Sequence, residues 1–141
     1  MLVEDDRGHT RLIERVLEKA RLANPIVMFH DGEEAFAYLE GRGRFGDREE
    51  HPVPVLLLLD GHLPSRSGLD ILAWLRKDAE LKSLPVVMLS GSSDSDDIYR
   101  AFELGVDTYL VKPVAFDALL DAINGLGLPW AILSRDGSER G

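Results

Sequence analysis

Carboxylates at Glu4, Asp5, Asp6 and Asp60, a hydroxyl at Ser90 and an amine at Lys112 are the side chains whose types could do chemistry together in this sequence. Asp60 closes the unbroken apolar run VLLLLD. A carboxylate at the end of a strand buried on both faces costs several kcal/mol if it is left unpaired. Carboxylates pressed together repel, which raises their pKa values unless a cation is present. A few oxygen ligands with room for water suit Mg²⁺, which takes one or two carboxylates and leaves its other positions to water and phosphate oxygens. Lys112 adds a point charge able to pair with a carboxylate at rest and with a phosphoryl oxygen later. An aspartate flanked by a metal and a lysine is a candidate phosphoryl nucleophile. Positioning and charge neutralisation are most of what phosphoryl transfer asks of a protein.

These residues lie far apart in the chain, so the chemistry depends on elements that gather them. Short apolar runs at Met1–Val3, Pro25–Phe29, Val53–Leu59, Pro85–Leu89 and Thr108–Val111 read as strands. They are continuous rather than alternating, as parallel strands covered on both faces should be. Helical periodicity lies between them, carried by Ile13, Val16 and Leu17, by Ala35, Phe36 and Leu39, by Leu69, Leu72 and Leu75, by Ile98, Ala101 and Phe102, and by Phe116, Leu119 and Ile123. Asp6, Asp31, Ser67 and Asp94 stand at the helix starts as N-caps. Alternating strands and helices with right-handed crossovers imply an α/β, doubly wound parallel sheet with helices on both faces. In such a sheet the functional crevice lies beyond the carboxyl ends of the strands, where strand order reverses. Glu4, Asp5 and Asp6 follow the first strand, Asp60 the third, Ser90 and Gly91 the fourth, and Lys112 and Pro113 the fifth.

The remaining features narrow the class. With 141 residues, 45% hydrophobic and 29% charged, the chain fits one globular domain, read as residues 1–126 with a C-terminal extension over 127–141. A net charge of −9 argues against nucleic-acid binding, which rests on clustered Lys and Arg. The chain has no cysteine for a disulfide framework or thiolate chemistry. No apolar run approaches the roughly 20 residues that span a bilayer, and the N-terminus lacks a secretory pattern. A soluble cytoplasmic protein is expected. His9, His30 and His51 read as solvent-exposed, and Arg42, Arg44 and Arg48 as the solvated face of the long polar connection 41–54. Gly105 reads as a left-handed cap closing the fourth helix.

The motifs LVEDD, LLLLDGHLP, SGLDIL, PVVMLSG and GVDTYLVKP, in this order and spacing, resemble the receiver domains of two-component response regulators. The resemblance implies a flavodoxin-like five-stranded sheet of order 2-1-3-4-5, with Asp60 as phosphoacceptor. It further implies that Glu4, Asp5, Asp60 and the backbone carbonyl of His62 hold Mg²⁺, and that Ser90 and Lys112 contact the phosphoryl group. Tyr109 falls at the aromatic switch position, and the Lys112–Pro113 bond is expected to be cis. The implied partner is a sensor histidine kinase. The YLVKP ending, the long loop before the third strand and the apolar LPWAIL are most similar to stand-alone receivers paired with bacterial phytochrome-type kinases. Output is then expected through protein contacts, with a homodimer formed by the face of the fourth helix, fifth strand and fifth helix together with the C-terminal segment. Two other readings compete. A haloacid-dehalogenase-like phosphatase needs a second aspartate two residues after the first, where this chain has His62. A pseudo-receiver, an interaction module without phosphorylation, would not need Glu4, Asp5, Asp60, Ser90 and Lys112 together.

Overall fold

Side chains alternate between the two faces of a strand, and that alternation divides the core in two. Val3, Phe29, Leu57, Leu59, Val86 and Met88 face one half, while Leu2, Leu58, Val87 and Leu89 face the other. A computed structural model describes residues 1–19 and 24–126 and the short strands at 132–133 and 139–140. Along the chain run β1 (Leu2–Val3), α1 (Arg7–Lys19), β2 (Met28–Phe29), α2 (Gly32–Glu40), β3 (Leu57–Asp60), α3 (Gly68–Lys77), β4 (Val86–Ser90), α4 (Ser95–Glu103), β5 (Thr108–Val111) and α5 (Phe116–Asn124). The five strands form one parallel sheet in the order β2-β1-β3-β4-β5. This is the doubly wound, flavodoxin-like architecture expected from the sequence. Ile13, Val16 and Leu17 of α1 and Leu119 and Ile123 of α5 cover one face. Tyr38 and Leu39 of α2, Ile71, Leu72 and Leu75 of α3, and Ala101 of α4 cover the other. Each fully buried Leu or Ile side chain contributes about 1.5–3 kcal/mol of transfer free energy.

The helix starts follow from their caps. Asp6 Oδ1 accepts the N–H groups of Gly8 and His9 at 2.8 and 3.1 Å, Asp31 caps α2 through Glu33 N–H, and Ser67 caps α3 through Asp70 N–H. Asp94 caps α4 through Asp96 N–H, so all four expected caps are in place. Gly105 adopts φ 94 just past α4, in the left-handed region as expected.

Several expectations need correction. β3 does not begin at Val53: Pro52 and Pro54 lack the N–H a ladder needs, Val53 and Val55 are exposed, and the strand runs instead through Asp60. β2 shortens to Met28–Phe29, because Pro25 and Ile26 lie outside the pairing with β1. The connection 41–54 is not simply a solvated loop. Phe45 is buried against Phe29, Tyr38 and His51. Arg48 donates to the carbonyls of Tyr38 and Leu39 at the end of α2, 2.8 and 2.7 Å away. Arg42 and Arg44 do face solvent. Beyond α5, β6 (Ile132–Leu133) and β7 (Glu139–Arg140) pair antiparallel. The rest of the C-terminal extension, including Leu128 and Trp130, lies outside the described residues.

Candidate functional site

Strand order reverses at β1, whose neighbours β2 and β3 run out to either side. The crevice that opens there collects what β1 and β3 carry at their carboxyl ends. Glu4 is fully buried and Asp60 is 2% exposed, while Asp5 projects into solvent. Carboxylate oxygens of Glu4, Asp5 and Asp60 lie within 4.8 Å of one another. Lys112, just past β5, reaches across the sheet: its Nζ is 2.7 Å from Glu4 Oε1 and 3.0 Å from Asp60 Oδ2. The Lys112–Pro113 bond is cis, as expected. Of the residues expected at the site, the three carboxylates and the lysine are therefore in direct array. Asp6 is turned away into its cap, although its backbone N–H donates to Glu4 Oε2 at 3.2 Å.

The three central groups settle one another's charge. Burial alone would raise the Glu4 carboxyl, but hydrogen bonds with Asp60, Lys112, His9 and the Asp6 N–H outweigh it and hold Glu4 below the ordinary glutamate value. Asp60 is pushed up, first by burial and then by the Glu4 carboxylate beside it. Burial would lower the Lys112 ammonium, yet Glu4 and Asp60 together raise it. The site thus keeps a fixed cation between two buried carboxylates, one of which is reluctant to ionise.

The chain after each strand end completes the crevice. His62 N–H donates to Asp60 Oδ1 at 2.9 Å, so the turn after β3 folds back over the aspartate and places the His62 backbone at the site's rim. α3 starts so close to this turn that a Cβ on Gly68 would lie 2.2 Å from the Asp60 carbonyl oxygen. Only glycine allows that approach. Ser90 ends β4 opposite Val111 and is 2% exposed. A Cβ on Gly61 would be 3.4 Å from Ser90 Oγ, so the hydroxyl faces the residue next to Asp60. Ser90 Oγ accepts the Ser92 N–H at 3.1 Å. The Tyr109 hydroxyl donates to the Ser92 carbonyl at 2.9 Å. Ser92 therefore links Ser90 to Tyr109 through its backbone.

Sequence reading missed His9, His30 and Ser92. His9 and His30 are not solvent-exposed: the His9 side chain is 10% exposed with Nδ1 on Glu4 Oε1, and His30 Nδ1 donates to the Glu4 carbonyl at 2.7 Å. His51 packs edge-on against Tyr38 and Phe45. The available signal for His9 was its place three residues after the Asp6 cap, which turns a first-turn side chain back toward the strand end.

The donors are oxygens, hard and few, and the grouping of the Glu4, Asp5 and Asp60 carboxylates fits a divalent cation of the Mg²⁺ or Mn²⁺ type. Among the described residues, no helix is long and apolar enough to cross a membrane.

A family profile described as "Response regulator receiver domain" matches residues 1–124. Response regulator Rcp1 of Synechocystis sp. is 34% identical over 130 residues, covering 92% of this chain and 86% of Rcp1. The structure of the bacteriophytochrome response regulator RtBRR superposes with a TM-score of 0.83 at 42% identity, over 95% of this chain and 80% of RtBRR. The phosphorylated cyanobacterial phytochrome response regulator RcpA gives 0.77 at 34% identity, over 91% and 95% of the two chains. The Mn²⁺-bound form of Rcp1 gives 0.76 at 34% identity, over 89% and 88%.

Proposed function

The chain belongs to the response regulator receiver domain family, and on that premise we propose that Asp60 accepts a phosphoryl group from a sensor histidine kinase and later loses it to water. The observation that carries this reading is Lys112 Nζ, held 3.0 Å from Asp60 Oδ2 and 2.7 Å from Glu4 Oε1, two buried carboxylates. An Asp60 carboxylate oxygen forms the new bond to phosphorus as the bond from phosphorus to the donor breaks, giving an acyl phosphate. Lys112 is placed to move its contact from Asp60 to a phosphoryl oxygen. Ser90 accepts the Ser92 N–H and retains its own hydroxyl hydrogen for the phosphoryl group. Glu4, Asp5, Asp60 and the His62 backbone carbonyl are the groups that would hold the divalent cation. When bound, that cation supplies the positive charge that lets an anionic carboxylate approach an anionic phosphoryl group. The Mn²⁺-bound Rcp1 and the phosphorylated RcpA support this reading. Nothing in these relatives supports a phosphatase or a phosphorylation-deficient module.

Readout follows from the Ser92 link. Ser90 turning toward the phosphoryl oxygens releases the Ser92 N–H, and Tyr109 loses a fixed partner for its hydroxyl. The face of α4, β5 and α5 then changes shape. Tyr99 and Phe102, 67% and 49% exposed, give that face an apolar surface for a protein partner or a second copy of the chain. Kinship with phytochrome response regulators supports a phytochrome-type kinase as the phosphodonor, in the cytoplasm, with Mg²⁺ as the physiological cation. Residues 1–126 form the receiver in this account. Incubation with acetyl phosphate and Mg²⁺ followed by intact-mass measurement tests the proposal: the wild type gains one phosphoryl group and Asp60→Asn gains none. A phosphoryl gain in Asp60→Asn contradicts it. Light scattering before and after labelling tests the homodimer, which a monomer in both states rules out.

A further inference from the structure

Glu4 is a fully buried carboxylate, and its orientation must be held by donors. Oε2 takes the Asp6 N–H, and Oε1 takes both Lys112 Nζ and His9 Nδ1. The backbone beneath it is pinned separately by His30 at the Glu4 carbonyl. Of the two donors on Oε1, Lys112 is shared with Asp60, and in the proposed reaction it turns to the phosphoryl group. His9 has no such second partner. Its Nδ1 carries the hydrogen, since a carboxylate only accepts, and its Nε2 is buried with no hydrogen-bond partner among the described residues. The hydrogen bond that the ring does make is with Glu4.

We propose that His9 is a positioning residue for the cation site, holding the Glu4 carboxylate in a fixed orientation through Nδ1 while Lys112 changes partner. This rests on the function proposed above for Asp60. Groups that orient a metal-binding carboxylate are commonly worth an order of magnitude in metal affinity. The imidazole acts on the cation only through Glu4, so one nitrogen of the ring matters and the other does not.

Two variants separate this role from simple space-filling. His9→Phe keeps the ring volume and removes both nitrogens. His9→Asn is smaller but places an amide N–H where Nδ1 stands. Mn²⁺ alone serves as the probe, with free ion quantified by electron paramagnetic resonance on the full chain, and circular dichroism confirms that each variant is folded. His9→Phe raises the Mn²⁺ dissociation constant about tenfold, while His9→Asn stays within about threefold of wild type. Should His9→Phe fail to fold, His9→Ala supplies the nitrogen-free arm. Mn²⁺ binding by the nitrogen-free variant equal to wild type overturns the proposal, and so does an equal loss in both variants. Acetyl phosphate labelling of the wild type runs alongside. Its absence contradicts the function proposed for Asp60, whereas the Mn²⁺ series alone decides the role of His9.

Discussion

The two loops that follow the site residues on β3 and β4 are built differently. After Asp60, residues 61–67 are clasped. Gly32 N–H donates to the Pro64 carbonyl at 3.3 Å, Ser65 Oγ to Asp31 Oδ1 at 2.6 Å and Arg66 to Glu33 at 2.7 Å. A Cβ on Gly32 would lie 2.0 Å from the Arg66 carbonyl oxygen. Ser65 even accepts a left-handed φ of 62 to keep this path, a conformation most side chains avoid. After Ser90, Gly91 has no atom of the described residues within 4 Å of where a Cβ would stand, Ser93 and Asp94 are exposed, and the loop is tied through Ser92, whose Oγ donates to Asp97 Oδ2 at 2.6 Å and whose carbonyl takes the Tyr109 hydroxyl. The helices differ likewise: α3 buries Gly68, Ile71, Leu72 and Leu75, whereas α4 buries only Ala101 among its described residues. The contrast separates two tasks. The loop beside the phosphoacceptor fixes geometry, and the loop beside the hydroxyl, tied through Ser92 to Asp97 and Tyr109, is placed to report on it.

Substitutions sharpen or break that contrast. The largest effect belongs to Gly68→Ala, where the new Cβ meets backbone rather than a side chain that could yield. Urea denaturation is expected to show a loss of about 3 kcal/mol or more, accompanied by weaker Mn²⁺ binding because the turn over Asp60 shifts. A stability close to wild type would mean that the clasp is slack. Next comes Asp60→Asn, read as a function of pH. The folded-state pKa of Asp60 lies above its ordinary value of 3.8, so ionising it in the folded protein opposes folding. That penalty is absent below the ordinary aspartate range and grows as pH rises through the raised value. The advantage of Asp60→Asn over wild type should therefore widen with rising pH across that window. A gap that is flat or narrows with pH would show that Lys112 already neutralises Asp60 completely.

The gathering of Glu4, Asp60, Ser90 and Lys112 was legible because apolar runs mark strands and parallel strands share one carboxyl end. Each of these residues sits immediately after such a run. The end of β3 was legible for the same reason, but its start was not: Val53 and Val55 are apolar in type, yet the prolines beside them keep them out of the ladder. His9 and His30 escaped because their partner, Glu4, stands 5 and 26 residues away and neither periodicity nor spacing names a partner. Arg48 escaped similarly, since a helix C-terminus shows its need for donors only once the loop folds back on it. At Gly32 and Gly68 the constraint is a backbone passing from another element, which no local sequence pattern reveals.

Smaller effects test the loop after Ser90. Tyr109→Phe removes the hydroxyl on the Ser92 carbonyl and should lower stability by about 1 kcal/mol. Phosphoryl uptake by intact mass should persist, while the change in hydrogen exchange over α4 on phosphorylation disappears. An unchanged exchange pattern would remove Tyr109 from the readout. Gly91→Ala has open space for its methyl group and should shift stability by less than about 0.5 kcal/mol. A loss comparable to that of Gly68→Ala would erase the distinction between the two loops.

The central claim is that one carboxylate, Asp60, carries the phosphoryl group. Borohydride reduction of the chain after incubation with acetyl phosphate and Mg²⁺ converts an acyl phosphate at aspartate into homoserine, whose position tandem mass spectrometry reads directly. The account predicts homoserine at position 60 and at no other aspartate. Homoserine at Asp5, or an unmodified Asp60 in a chain that has gained phosphoryl mass, would contradict it.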